Sequence, residues 1–231
     1  MEDTAQSPPT RPSVLITGGS RGIGLAVAAA LADTHHLLVG GRDREQLQTV
    51  CDGFPDAEPW PVDLADPGAT AEAAAAIDTL DVMVHSAGVE AAGTVEELTR
   101  EQWRSVLELN VVAVADLTRL LLPALRRASG QVVMINSGSG YFSTAGGGLY
   151  AASKFALRAL TDALREEERG RVRVVSIHPG RVDTDMQRRI QGEEGYQPSD
   201  HMRPASVAQA VAMAVRTPPD AVVESLSIRP S

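Results

Sequence analysis

The stretch "SVLITGGSRGIGLAVAAALAD", residues 13–33, constrains the fold more than any other part of the chain. Its first five residues form a β-branched apolar run that reads as a buried strand, and its last eleven form an alanine-rich run that reads as a helix. Between them sits a turn containing Gly18, Gly22 and Gly24. A strand that passes through a glycine-rich turn straight into a helix begins a strand-helix-strand unit, the crossover that parallel sheets require. The missing Cβ atoms also let a ligand backbone or phosphate approach the helix N-terminus, where the N–H groups point outward.

The same alternation continues to the C-terminus. Strands are expected at 36–40, 58–63, 80–86, 131–137, 171–180 and 222–230, and helices at 43–50, 66–78, 99–128, 150–169 and 206–216. Asp43 with Gln46, and Thr99 with Gln102, have the spacing of capping boxes, while Asp66 precedes a Pro at the first helical position. Seven strands alternating with helices imply an α/β fold, a doubly wound parallel sheet covered on both faces. The polar segment between Thr184 and Ser206 interrupts the pattern, and a loop over about 185–205 is expected there, either a mobile lid or a solvated connection.

A chain of 231 residues with 43% hydrophobic side chains suits one domain, here 13–231, preceded by a frayed acidic and proline-rich tail over 1–12. The net charge of −9 offers no field for nucleic acid or an anionic membrane surface. There is neither a signal-peptide pattern nor an apolar run of about 18 residues, so a cytoplasmic location is expected. Cys51 stands alone, which excludes an internal disulfide, and no Cys/His cluster suggests a metal.

One composition detail stands out. Of 21 basic Lys and Arg residues, only Lys154 is a lysine, and it lies four residues after Tyr150. On a helix, positions i and i+4 share a face, so the ammonium stands beside the phenol. A phenol with an ordinary pKa of about 10 is a poor acid or base at neutral pH, and a neighbouring cation favours its ionised form. Arginine would keep the charge but present a broad planar fork instead of a compact ammonium.

These residues belong to an ordered set of motifs. The turn at 17–24 has the spacing T-G-x-x-x-G-x-G. Asp63 ends the third expected strand, and "HSAG" (85–88) ends the fourth. Asn110 lies within the long helix, Ser137 ends the fifth strand, Tyr150 and Lys154 form Y-x-x-x-K, and "PGRVDT" spans 179–184. In this order the set resembles the short-chain dehydrogenase/reductase family along nearly the whole chain after the tail. "HSAG" departs from the family's N-N-A-G, with His85 and Ser86 in place of two asparagines.

The resemblance implies a single-domain Rossmann fold that binds a nicotinamide dinucleotide. It places Gly18, Ser20, Arg21, Gly22, Ile23 and Gly24 around the phosphates, and Asp63 and Leu64 near the adenine. Ser86, Ala87 and Gly88 would approach the cofactor through their backbone, and Pro179, Gly180, Val182 and Thr184 would hold its carboxamide and pyrophosphate. Asn110, Ser137, Tyr150 and Lys154 would be catalytic. Tyr150 would exchange a proton with the reacting oxygen, and Ser137 would donate a hydrogen bond to it. Lys154 would also bond the ribose, and Asn110 would hold a water joined to the Lys. Family members commonly pair their two long helices, here around 102–127 and 150–168, which implies a homodimer or homotetramer.

The end of the second strand carries Gly41 and then Arg42, where an acid would select NAD(H). Arg42, with Arg21, suits a 2′-phosphate, so NADP(H) is the expected cofactor, with NAD(H) less favoured. The expected function is carbonyl reduction or alcohol oxidation on a small molecule by hydride transfer. Val89, Glu90, Tyr141, Phe142, Met186, Ile190 and Tyr196 are expected around the substrate. The alternative is a non-catalytic dinucleotide sensor or scaffold, which would need the cofactor contacts but no proton donor.

Overall fold

The computed structural model describes residues 11–231. The expected N-terminal tail therefore lies outside the described residues, except for Arg11 and Pro12. Among the described residues seven strands form one all-parallel sheet: β1 (Ser13–Thr17), β2 (His36–Gly41), β3 (Ala57–Pro61), β4 (Val82–His85), β5 (Gln131–Ile135), β6 (Arg173–Pro179) and β7 (Ser225–Ile228). Their order is β3-β2-β1-β4-β5-β6-β7. The helices are α1 (Gly22–Leu31), α2 (Arg44–Cys51), α3 (Pro67–Ala75), α4 (Arg100–Leu107), α5 (Ala113–Arg127), α6 (Gly148–Glu167), α7 (Asp185–Gly195) and α8 (Pro204–Val215). This is the doubly wound Rossmann arrangement expected of the sequence.

Both sheet faces are buried, which is why the strands read as nearly continuous apolar runs. Val14 and Ile16 point into a layer with Val27 and Leu31 of α1 and Val207 and Val211 of α8. Leu15, between them, joins Leu117 and Leu121 of α5 and Leu157 of α6 on the other face. The expected capping holds: Asp43 accepts from the N–H groups of Glu45 and Gln46, Asp66 from those of Gly68 and Ala69, and Thr99 and Gln102 form a reciprocal box.

The chain winds from β1 outward to β3, then returns to place β4 on the other side of β1. At such a reversal the strands' carboxyl ends leave an open crevice, because the following connections diverge. β1 and β4 are tied at the opposite end, where the Ser13 N–H donates to Asp81 Oδ2 at 2.7 Å across 68 residues of sequence. At the crevice end the Thr17 hydroxyl accepts from the Ser86 and Ala87 N–H groups at 3.1 and 3.2 Å.

Two expectations change. The helix expected over 99–128 is not continuous: a five-residue π segment, Glu108–Val112, separates α4 from α5. Its wider turn accommodates Asn110, whose side chain leaves the helix to bond the neighbouring loop. The segment expected as a loop over 185–205 contains α7, capped by the Thr184 hydroxyl, which accepts from the Gln187 N–H. Gly192 interrupts that helix with φ 69°, and a 3-10 turn follows at Pro198–Asp200. The segment is tethered, with the Tyr196 hydroxyl donating to Asp183 Oδ1 at 2.6 Å and Arg188 also paired to that carboxylate. Strand ends shift as well: β5 stops at Ile135, leaving Asn136 and Ser137 beyond the regular strand.

Candidate active site

A cavity of about 1590 Å³ opens at the β1/β4 crevice. Its floor is the glycine turn. Gly18 has φ 66°, and a Cβ there would come within 2.9 Å of the Ala87 backbone, while a Cβ on Gly24 would overlap the carbonyl of Gly18. Neither position tolerates a side chain without moving the backbone, so the turn packs against β4 and α1 starts directly beneath the cavity. α1 carries no side-chain cap, whereas α2, α3, α4 and α7 each have one. Its first N–H groups are left for whatever occupies the crevice.

Ser20, Arg21, Gly22, Ile23, Arg42, Asp63, Leu64, Ser86, Ala87, Gly88 and Thr184 all line this cavity with the glycines. Asp63 spends one carboxylate oxygen on the Ala65 N–H at 3.1 Å. Arg42 is exposed and, among the described residues, forms no ion pair or side-chain hydrogen bond. Arg21 is different: its guanidinium sits 3.6 Å from Asp185, linking the glycine turn to the first residue of α7. Pro179, Gly180 and Val182 do not line the cavity. Gly180 packs against the Arg229 and Pro230 side chains, and Val182 is buried in a parallel bridge to Met202.

None of the four expected catalytic residues lines this cavity; they are linked to its wall after β4 through Val89 and Glu90. Asn110, 2% exposed, clamps that wall, as its Oδ1 accepts from the Val89 N–H at 2.9 Å and its Nδ2 donates to the Val89 carbonyl at 2.8 Å. The same Nδ2 also donates to Ser153 Oγ at 3.1 Å. Lys154 Nζ donates to the Ile135 carbonyl at 3.0 Å and lies 5.6 Å from the centre of the Tyr150 ring. Ser137 Oγ accepts from the Ser139 N–H at 3.1 Å and stands beside the Tyr150 phenol.

Burial is the first cause of every charge shift here. It pushes the Tyr150 phenol above its usual range, with the Glu90 charge adding to the effect and the Ser137 hydrogen bond opposing it. It lowers Lys154 to about 8 against the opposing pull of Glu90. It raises Glu90 to about 6, with Lys154 opposing. Glu90 lines the cavity on the wall that follows β4, and its charge also acts on the Tyr150–Lys154 pair. Sequence reasoning placed Glu90 in the pocket without a role, because its partners come from α6, some sixty positions on by the numbering. Ser153 and Asp185 were not singled out at all. Their neighbours Lys154 and Thr184 were the only signal available. Of the other expected pocket residues, Met186 and Ile190 line the cavity, whereas Tyr141 stacks on His178 with ring centres 4.4 Å apart.

His85 replaces the first Asn of the related motif with a wholly enclosed imidazole. The Thr118 hydroxyl donates to the Val114 carbonyl at 2.7 Å, so at the 2.9 Å contact His85 Nε2 is the donor to Thr118. Nδ1 then carries a lone pair and no partner among the described residues. Protonating it would bury an unpaired cation, and burial lowers the His85 pKa to about 3. The ring is a neutral structural prop below the crevice floor.

Comparison with known proteins agrees with this geometry. An uncharacterised oxidoreductase of Staphylococcus saprophyticus is 28% identical over 228 residues, covering 94% of this chain and 96% of its own. An alcohol dehydrogenase from the archaeon Thermococcus sibiricus, solved with 5-hydroxy-NADP, superposes with a TM-score of 0.87 at 28% identity, covering 95% of this chain and 97% of that one. The closed form of a serine dehydrogenase complexed with NADP⁺ gives 0.88 at 27% identity, with 94% of each chain covered. The family model described as short chain dehydrogenase matches residues 12–195, a span that holds the glycine turn, the Asn110 clamp and the Tyr150–Lys154 pair. Because that match covers most of the chain, the chain belongs to the short-chain dehydrogenase family.

Proposed function

We propose that the protein is an NADP(H)-dependent oxidoreductase that interconverts a small-molecule carbonyl and its alcohol, with Tyr150 as acid and base. The observation that carries this reading is the grouping of Tyr150, Ser137, Lys154 and Asn110 against the wall of the β1/β4 crevice. A binding scaffold needs the crevice but not a half-buried phenol set beside a serine hydroxyl and flanked by an ammonium.

The crevice suits a dinucleotide. The glycine turn and uncapped α1 fit a pyrophosphate, and Arg42 beyond the end of β2, unpaired among the described residues, fits a 2′-phosphate. The NADP complexes of the structurally similar dehydrogenases support the same cofactor. When bound, the nicotinamide supplies or accepts the hydride.

The chain's own residues manage the proton. In reduction the Tyr150 phenol gives its proton to the carbonyl oxygen as the carbon receives the hydride, and the resulting phenolate is stabilised by the Lys154 ammonium. The Ser137 hydroxyl, which accepts from the Ser139 N–H and stands beside the Tyr150 phenol, is placed to donate to the reacting oxygen. Burial and Glu90 both hold the phenol protonated, the form reduction requires. Asn110 keeps the Val89 backbone, and with it the wall, in place. We assign the protein to the cytoplasm and to a homodimer or homotetramer, in which the exposed Val112 and Phe155 would be covered by pairing of the α4–α5 and α6 faces.

The test is a panel of aldehydes and ketones with NADPH, followed by cofactor absorbance, on wild type and Tyr150→Phe. Wild type should turn over at least one substrate. Tyr150→Phe should lose on the order of 10²–10⁴ in kcat, the usual worth of a general acid, while binding NADPH as before. Tight NADPH binding with no turnover by wild type would overturn this reading in favour of a cofactor-sensing scaffold.

A further inference from the structure

Among the described residues, Glu90 is the carboxylate that both lines the open cavity and acts on the proton-transfer pair. It lines the cavity with Gly88, Val89 and Ala92, none of which has a polar side chain. Its backbone is held firmly, since the preceding residue is clamped at both its N–H and its carbonyl by Asn110. Its charge acts on Tyr150 and on Lys154. Yet the Lys154 ammonium is committed to the Ile135 carbonyl, and among the described residues Glu90 forms no ion pair or side-chain hydrogen bond. A half-buried carboxylate with unspent acceptors carries a desolvation cost that the Lys154 charge offsets only in part.

Resting on the oxidoreductase reading above, we propose that Glu90 determines substrate specificity by accepting a hydrogen bond from a hydroxyl or ammonium group that the substrate carries next to its reacting carbon. A substrate with its carbonyl oxygen at Tyr150 and Ser137 sits within reach of the wall after β4, whose Glu90 charge acts on Tyr150 and Lys154. A donor at that position satisfies the carboxylate, an alkyl group leaves it buried and unsatisfied, and a carboxylate is repelled. The site therefore selects hydroxy- or amino-ketones, and the corresponding diols or amino alcohols, over simple ketones and keto acids.

The experiment compares congeners that differ only beside the carbonyl, on an alkyl and an aryl scaffold. The substituents are hydroxymethyl, aminomethyl in its protonated form, ethyl, and carboxymethyl. Values of kcat/KM with NADPH are measured for wild type, Glu90→Gln and Glu90→Leu, with NADPH affinity and Tm confirming that each variant is folded. Wild type should favour a donor-bearing congener over the ethyl one by about tenfold or more, as expected for a charge-assisted hydrogen bond. That advantage should vanish in Glu90→Leu. An advantage retained in Glu90→Gln identifies the hydroxyl as the natural donor, and one lost there identifies the ammonium.

An equal fall for all congeners would overturn the inference alone, because Glu90 would then act only through Tyr150 and Lys154. Unchanged congener ratios in Glu90→Leu would do the same. If wild type reduced none of the congeners while binding NADPH, and none of the broader carbonyl panel, the oxidoreductase reading itself would fall and this one with it.

Discussion

An arginine that meets no carboxylate keeps its charge available to a ligand, and two cations near one cavity can differ in that respect alone. Arg42 is unpaired among the described residues, whereas Arg21 faces Asp185 at 3.6 Å. An exposed pair of this kind contributes little to stability, but an incoming phosphate must still compete with it. Arg42→Ala should therefore lower the NADPH to NADH ratio of kcat/KM by about 10- to 100-fold, the worth of one or two hydrogen bonds to a charged group. Arg21→Ala should change it less, and an unchanged ratio in Arg42→Ala would remove the assignment. The sequence alone put both arginines at the crevice because each follows directly from its motif position. Asp185 was invisible as a partner, since nothing in a polar segment announces which carboxylate will fold back onto the glycine turn. Lys154, by contrast, was legible from composition and spacing together.

At the scale of the element, the break between α4 and α5 has more bearing on the site than either helix. The apolar pattern over 99–128 continues through the π segment, so periodicity cannot reveal the extra residue in the turn. The sign that was present is chemical: an Asn set among Val and Leu has to find partners when buried. Its partners are both backbone groups of Val89 and the hydroxyl of Ser153. Asn110→Ala would leave the Val89 N–H and carbonyl without them, at about 1–3 kcal/mol for each group that water cannot reach. The expected result is a lower Tm and reduced kcat together, measured by thermal denaturation and by turnover. A loss of kcat with Tm unchanged would show that Asn110 acts on the chemistry and not through the wall. α7 escaped sequence reading for the opposite reason, being polar and broken by Gly192, so that it lacks the stripe by which a helix is recognised.

For the whole molecule, the seven-stranded sheet was readable because burial on both faces leaves long apolar runs that glycine and proline punctuate. What was not readable is how the interior responds to acid. His85 is folded with a pKa of about 3, against an ordinary 6.5. The unfolded chain therefore binds the extra proton between those values, so His85's contribution to stability is full above pH 6.5 and is lost as pH falls below it. At pH 5 the loss from this residue is about 2 kcal/mol relative to pH 7, or about 4–8 °C in Tm for a chain of this size. His85→Asn should flatten that part of the pH dependence of Tm, and an identical slope in the variant would show that the acid sensitivity arises elsewhere, for instance at the buried His35 or His178.

The tie between Ser13 and Asp81 also bears on assembly. The strands flanking the crevice are neighbours in space but are separated in the chain by β2, β3 and three helices, and contacts of such separation form late because the loop must close first. A chain that has emerged from synthesis only as far as β3 holds every glycine of the turn and has nothing opposite them. The dinucleotide pocket is thus absent from partial folds, and a nucleotide acts as a clasp on the completed sheet, stabilising it by mass action without guiding the path to it.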